Sequence, residues 1–300
     1  MSTQTTSKPP RRATKPRGGG TRANPLSVAS ATLFMGLFAV YFLAPIWWLI
    51  VAATKTRGNL TTTSGFWFSG PFEFFRHFGD LMARDGAVFP RWLLNSVLYA
   101  GLGAAVGTLF ASMAGYALAK YVFPGREATF NIILAGVLVP ATALALPLFL
   151  LFSKVNAVDT FWSVFLPSIV SPFGVYLARI YAAASVPEGL LEAARLDGAS
   201  EFRTFFTIAT RLMTPALVTI FLFQFVAIWN NFFLPLVMLQ DERLYPVTLG
   251  LFSWNGRVQS APELQMLVIV GSLVSVVPLI LAFLLLQRFW QSGLAAGGVK

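Results

Sequence analysis

Twelve carboxylates, one histidine and no cysteine make up the catalytic and metal-binding chemistry of this chain of 300 residues. Without cysteine there is no disulfide framework, thiol nucleophile or thiolate zinc site. The lone His77 excludes a multi-histidine metal site within the chain and a Ser-His pair in an apolar core. No paired carboxylates fall in an apolar run, so a membrane hydrolase lacks its acid and base. No G-x-x-x-x-G-K-[ST] phosphate loop is present, so ATP cannot be cradled in the usual way. The richest spacing is Pro187-Glu188-Gly189-Leu190-Leu191-Glu192-Ala193-Ala194-Arg195-Leu196-Asp197-Gly198-Ala199-Ser200. Pro187 suits a first helical position, Glu188 the positive helix start and Arg195 its far end. Gly198 supplies a left-handed stop, and Ser200 caps a second helix running through Arg211. Leu190, Leu191 and Ala194 are expected to share a small apolar face suited to another protein's groove.

The elements that carry this segment must live in a bilayer. Hydrophobic residues are 56% of the chain and charged residues 11%, with mean hydropathy +0.69. That is too little charge to coat a soluble globule of this size. Six runs free of Asp, Glu, Lys and Arg in their interiors are each long enough to span: 26–53, 92–119, 128–153, 160–178, 212–239 and 264–287. Between them lie two outer loops: 54–90, dense in Phe and Trp and holding His77, and 241–263, centred on Trp254 and Asn255. If the amino terminus is inside, 14 of the 22 basic residues but only 5 of the 12 acids are inside too. Both termini are therefore expected in the cytoplasm, and the net charge of +10 reads as a topology signal rather than nucleic-acid binding. Residues 1–25 are basic, lack acids and are expected to be a disordered cytoplasmic tail.

Ion-coupled pumps place carboxylates, histidines or lysines inside their spans, and these spans hold none. Their polar residues are amides, among them Asn95, Gln224, Asn230 and Asn231, with scattered Ser and Thr. Gln224, Trp229, Asn230 and Asn231 are candidates for a translocation path, set against ordinary interhelical hydrogen bonding. Pro140, Pro147, Pro167, Pro172, Pro235 and Pro278 interrupt the last four spans, as kinks or as the bent helices that transporters use. Gly101, Gly103, Gly107, Ala111 and Gly115 suit close helix packing.

Glu192, Ala193, Ala194, Gly198 and Ile208 fall on the inner-loop pattern E-A-A, three residues, G, nine residues, I of permease subunits from bacterial binding-protein-dependent ABC importers. Thr210-Arg211 stands where that family usually has Leu-Pro. Asn95-Ser96, the Ala114–Ala119 run before Phe123-Pro124-Gly125-Arg126, Trp229–Leu236 and the end Gly293–Lys300 extend the likeness from residue 26 onward. Together they resemble the smaller six-span partner of the maltose-transporter type of carbohydrate permease.

The resemblance implies an all-α membrane protein of type I ABC importer fold, with both termini cytoplasmic. It implies a tail at 1–25, a first span and outer loop at 26–90, a five-helix core at 91–287 with a coupling loop at 185–211, and a tail at 288–300. Glu192, Ala193, Ala194, Asp197 and Gly198 would couple to an ATPase. The partners implied are a second permease, two copies of an ABC ATPase that bind ATP and Mg2+, an extracytoplasmic sugar-binding protein and membrane lipid. This chain would catalyse nothing itself and would reside in the bacterial inner membrane. An ion-coupled carrier, or a permease of this type for a glycerol phosphate or polyol, is the alternative.

Overall fold

The computed structural model describes residues 25–297, with side chains described for 26–289. The basic tail expected at 1–25 and most of the tail expected at 288–300 therefore lie outside the described side chains. The chain divides into two units, Met1–Ile46 and Trp47–Lys300. The described part of the first is the leading stretch of α1 (Pro25–Ala53), which has no charged side chain and holds Pro45.

The second unit is helical throughout its regular structure. Its elements are α2 (Phe74–Val97), α3 (Gly103–Lys120), α4 (Arg126–Ala135), α5 (Ala141–Lys154), α6 (Phe161–Ser168), α7 (Pro172–Ser185), α8 (Glu188–Leu196), α9 (Glu201–Thr204), α10 (Thr214–Trp229), α11 (Phe233–Met238), α12 (Val247–Gly256) and α13 (Leu264–Gly297). Among the described residues, four helical stretches are long and apolar enough to cross a membrane: Leu26–Ala53, Phe74–Lys120, Phe161–Ser185 and Leu264–Phe289. Two pairs, Arg126–Leu138 with Ala141–Lys154 and Glu201–Leu212 with Thr214–Trp229, bend by 102° and 83°. Counting each pair as one span restores the six expected crossings.

Several boundaries differ from the sequence expectation. The stretch read as an outer loop at 54–90 contains the start of α2, which breaks at Arg84–Ala87, where Asp85, Gly86 and Ala87 all have positive φ. His77 is a buried helical residue rather than a loop residue, its Nε2 3.1 Å from the Lys55 carbonyl. A π-helical turn, Leu98–Leu102, joins α2 to α3. The loop expected at 241–263 folds into α12, with Trp254 buried against Trp92 at a ring separation of 4.7 Å. The fourth span continues to Ser185, and the sixth helix runs ten residues past the expected end at 287.

Two cores hold the second unit. One gathers Phe89, Trp92, Met238, Leu251, Trp254 and Val270. Trp92, Asn95, Ser96 and Tyr99 share a helix face by their i, i+3, i+4, i+7 spacing, and that face pins the segment before α12. Trp92 Nε1 donates to the Glu242 carbonyl (2.7 Å), Asn95 to those of Arg243 and Tyr245 (2.8 and 3.0 Å), and Tyr99 to that of Leu244 (3.2 Å). Ser96 Oγ accepts from the Val247 amide at 2.7 Å. The other core joins α3, α7, α8 and α10 through Tyr116, Ala178, Leu191, Phe205 and Ile220. Here α3 and α7 lie so close that a Cβ on Gly115 would sit 2.7 Å from the Arg179 amide nitrogen and 2.8 Å from the Val175 carbonyl oxygen. Gly103 and Gly107 face α10 through Ile228 and Gln224, whereas Gly101 faces open space.

Candidate functional site

The loop that joins α7 to α10 is built as the sequence suggests, with one shift at its start. Pro187 precedes the helix, at φ −67° and ψ 138°, and Glu188 opens it. Two amide-to-carbonyl bonds close the far end, Gly198 to Arg195 (3.0 Å) and Ala199 to Ala194 (2.9 Å). Gly198 has φ +73°, yet a Cβ there would meet nothing within 4 Å. Backbone conformation alone, not crowding, therefore asks for glycine. Ser200 Oγ accepts from the Arg203 amide at 3.3 Å and caps α9, which continues into a π-helical turn, Phe205–Ala209.

The apolar face of α8 is not shared as expected. Leu191 and Ala194 are 1% and 6% exposed and pack into the chain's own core, whereas Leu190 and Leu196 are 45% and 89% exposed. Leu190 thus stands on the outward side together with Glu192, Ala193, Asp197 and Gly198, which are all exposed. Of the five candidate coupling residues, four face outward. Ala194 faces inward and seats the helix.

Polar ties that sequence reasoning missed hold both ends of α8 to the end of α3. Lys120 Nζ, on a nearly buried side chain, lies 2.8 Å from Glu188 Oε1. Tyr121 donates its hydroxyl to Glu201 Oε2 at 2.8 Å, and Arg195 Nε donates to Glu201 Oε1 at 2.9 Å. The Arg195 guanidinium, then the Tyr121 hydroxyl, holds the Glu201 carboxyl below the usual carboxylate range. Burial first, and then the bond to Glu201, pushes the Tyr121 hydroxyl up. Nearby, Arg179 bonds Glu127 at 2.6 Å and lies over the Phe130 ring at 3.9 Å. The available signal was a Lys-Tyr pair at the end of an apolar span, with unpaired acids in a later loop on the same side.

The four path candidates separate into two kinds. Gln224 is buried and donates from Nε2 to the Ser168 carbonyl at 3.0 Å. That carbonyl lacks its helical partner because residue 172, four positions on, is a proline without an N–H. Trp229 is buried and stacks on Phe225 at 5.7 Å. Asn230 is exposed and bonds back to the Val226 carbonyl at 2.9 Å. Asn231 sits in the break between α10 and α11. Its Oδ1 accepts from the Leu234 amide (3.4 Å), and its carbonyl accepts from Thr248 Oγ1 (3.2 Å). Gln224 and Thr248 thus each cover a carbonyl at a helix break.

Comparison with known proteins places this architecture. Residues 107–294 match the family described as binding-protein-dependent transport system inner membrane component. The arabinooligosaccharides transport system permease protein AraQ of Bacillus subtilis is 35% identical over 90% of this chain and 94% of that protein. The osmoprotective compounds uptake permease protein GgtD of Synechocystis is 30% identical, covering 92% of each chain. The lactose transport system permease protein LacG of Rhizobium radiobacter is 29% identical over 91% of this chain and 94% of that protein. A chain from the crystal structure of a bacterial ABC transporter involved in the import of alginate matches with a TM-score of 0.77 at 23% identity, covering 90% of this chain and 98% of that one. That likeness shows the same fold, and an ion-coupled carrier is not favoured. The chain belongs to the family of inner membrane components of binding-protein-dependent transport systems: it is a membrane permease subunit of an ABC importer, and the ATPase activity lies in a separate subunit.

Proposed function

We propose that this permease imports an oligosaccharide as half of a heteromeric path, and that α8 is the helix through which ATP-driven motion enters it. The observation that carries the coupling role is the split of α8. Leu191 and Ala194 are locked into the chain's own core, while Leu190, Glu192, Ala193 and Asp197 stand exposed. A helix fixed on one side and offered on the other transmits a push as a rigid body. The proposed arrangement is a second permease beside this one, two ABC ATPases that hold ATP and Mg2+ beneath, and an extracytoplasmic binding protein delivering the solute. In this reading both termini and α8 lie in the cytoplasm. The solute class is supported by relatives named for arabinooligosaccharides, for lactose and for melibiose, raffinose and stachyose.

The test begins with purification of the chain from its native membrane in mild detergent and mass spectrometry of what accompanies it. A second permease and an ATPase are expected; a homo-oligomer without an ATPase after crosslinking at Glu192→Cys would break the reading. In the reconstituted complex, Gly198→Val is expected to leave insertion intact while lowering ATPase association or binding-protein-stimulated uptake at least tenfold. Normal uptake by that variant removes α8 from the coupling path.

A further inference from the structure

Three helix breaks meet at one recess. They lie between α4 and α5 at Val139–Pro140, between α6 and α7 at Ile169–Ser171, and between α10 and α11 at Asn230–Phe232. A cavity of about 170 Å3 is lined by Ala141 and Thr142 beside the first break, Pro167 and Ser168 beside the second, and Asn231 and Phe233 beside the third. A neighbouring recess of about 330 Å3 shares Thr142 and Phe233 with it. Irregular backbone survives at membrane depth only when buried in protein or lining a polar cavity. The Ser168 and Asn231 carbonyls are already covered by Gln224 and Thr248, so repair of the backbone does not account for the polar groups left over.

Those groups define a chemistry. The Asn231 side-chain NH2 has no acceptor among the described residues, since only its Oδ1 is engaged there. The Thr142 hydroxyl makes no hydrogen bond among them either, although most Ser and Thr hydroxyls on these helices bond back to a carbonyl, as Ser168 does to Val164. Phe233 is exposed beside them. An amide donor, a hydroxyl able to donate and accept, and an open phenyl face suit a ring that carries hydroxyls on its rim and C–H groups on its face. The recess also sits far from the driving end. The 16 residues of α10 rise about 24 Å between the α8 loop and the Asn230 break.

We infer that this recess is a contact point for the solute, in which Asn231 and Thr142 take up saccharide hydroxyls while the ring face crosses Phe233. The inference rests on the reading of the chain as an oligosaccharide importer permease. Because the sequence has no cysteine, Asn231→Cys and Thr142→Cys each give a single thiol in this chain, whose labelling is read on its own band against the cysteine-free chain in the same complex. In the reconstituted complex, with its partner subunits and an arabinotriose-loaded binding protein, a charged membrane-impermeant thiosulfonate is expected to reach both thiols. The rates should differ at least tenfold between the nucleotide-free and vanadate-trapped states, while Leu285→Cys on an exposed apolar face of α13 stays unreactive. Asn231→Ala and Thr142→Val are expected to lower arabinotriose uptake several-fold with binding-protein-stimulated ATPase retained. Equal rates in both states, or protection in every state once the subunits assemble, would make the recess a subunit interface and overturn the inference. So would unchanged uptake. Failure of the unsubstituted complex to take up any saccharide with ATP would instead overturn the functional reading, and needs no variant to be seen.

Discussion

A single amide shows how much of this protein's stability hangs on repairing what its prolines break. Pro172 withholds the N–H that the Ser168 carbonyl needs, and Gln224 Nε2 supplies one from another helix at 3.0 Å. Gln224 fits only because its neighbour on α3 is Gly107, where a Cβ would collide with the amide group. Gln224→Leu leaves the half-buried Ser168 carbonyl without its side-chain donor but also removes Gln224 Oε1, which is buried with no partner among the described residues, so the net cost is expected to be about 1 kcal/mol. Gly107→Ala is expected to destabilise in the same range by displacing the same side chain, and the double variant should cost less than the two singles combined. Thermal unfolding of the purified chain in detergent checks this. Full additivity would mean that the two residues act separately. From the sequence, Gln224 was equally a path residue or interhelical glue, because a lone amide in an apolar run does not name its acceptor. The acceptor is set by a proline more than fifty positions away, and no local pattern carries that information.

At the scale of elements, α8 matters less as a free helix than as one tied at both ends to α3. Glu188 meets Lys120 near its start, and Arg195 reaches Tyr121 through Glu201 near its end. Glu188 is the exposed partner of the Lys120 pair, and exposed ion pairs contribute only about 0.2–1 kcal/mol, so Glu188→Lys should barely change the stability of the chain. If the ties set the pose of α8, the same change should still lower coupled uptake several-fold, and Lys120→Glu on top of it should restore most of the loss. Equal loss of uptake and of thermal stability, without rescue in the swapped pair, would reduce the tie to ordinary support. The pH dependence has a definite sign. Glu201 titrates below its ordinary value of about 4.5, so its tie is fully present above that pH and is lost only as the pH falls through the lowered value. The helix itself, its Gly198 stop and its Ser200 cap were legible because each depends on neighbours within a few positions. Which face turns inward was not, since Leu190, Leu191 and Ala194 are equally apolar and nine residues are too few for a periodicity to choose among them.

For the whole molecule, charge and length together support one orientation, in which the α8 end would face the ATPase. The apolar runs were legible as six crossings because a bilayer demands about twenty apolar residues whatever they pack against. The 102° bend at Pro140 and the left-handed stretch at Asp85–Ala87 were not, because prolines and glycines mark where a helix yields and not by how much. The asymmetry of basic residues in the sequence, 14 of 22 inside when the amino terminus is taken as inside, supports the reading that the α8 loop is cytoplasmic. Helix α13 adds a second argument. Its 34 residues extend about 51 Å, some 20 Å more than a hydrocarbon core about 30 Å thick can hold, and Arg288, about 36 Å along, lies within the excess. That excess lies at the carboxyl end, two crossings on from α8, so α8 and the terminal extension would project toward one compartment. Two single-cysteine chains decide the matter. Ser260→Cys, between α12 and α13, is expected to react with an impermeant maleimide added to intact cells. Gly189→Cys, on the exposed side of α8 with open space around its Cβ, should react only after the membrane is opened. The opposite pattern would put the exposed face of α8 away from ATP, and no ATPase could then drive it.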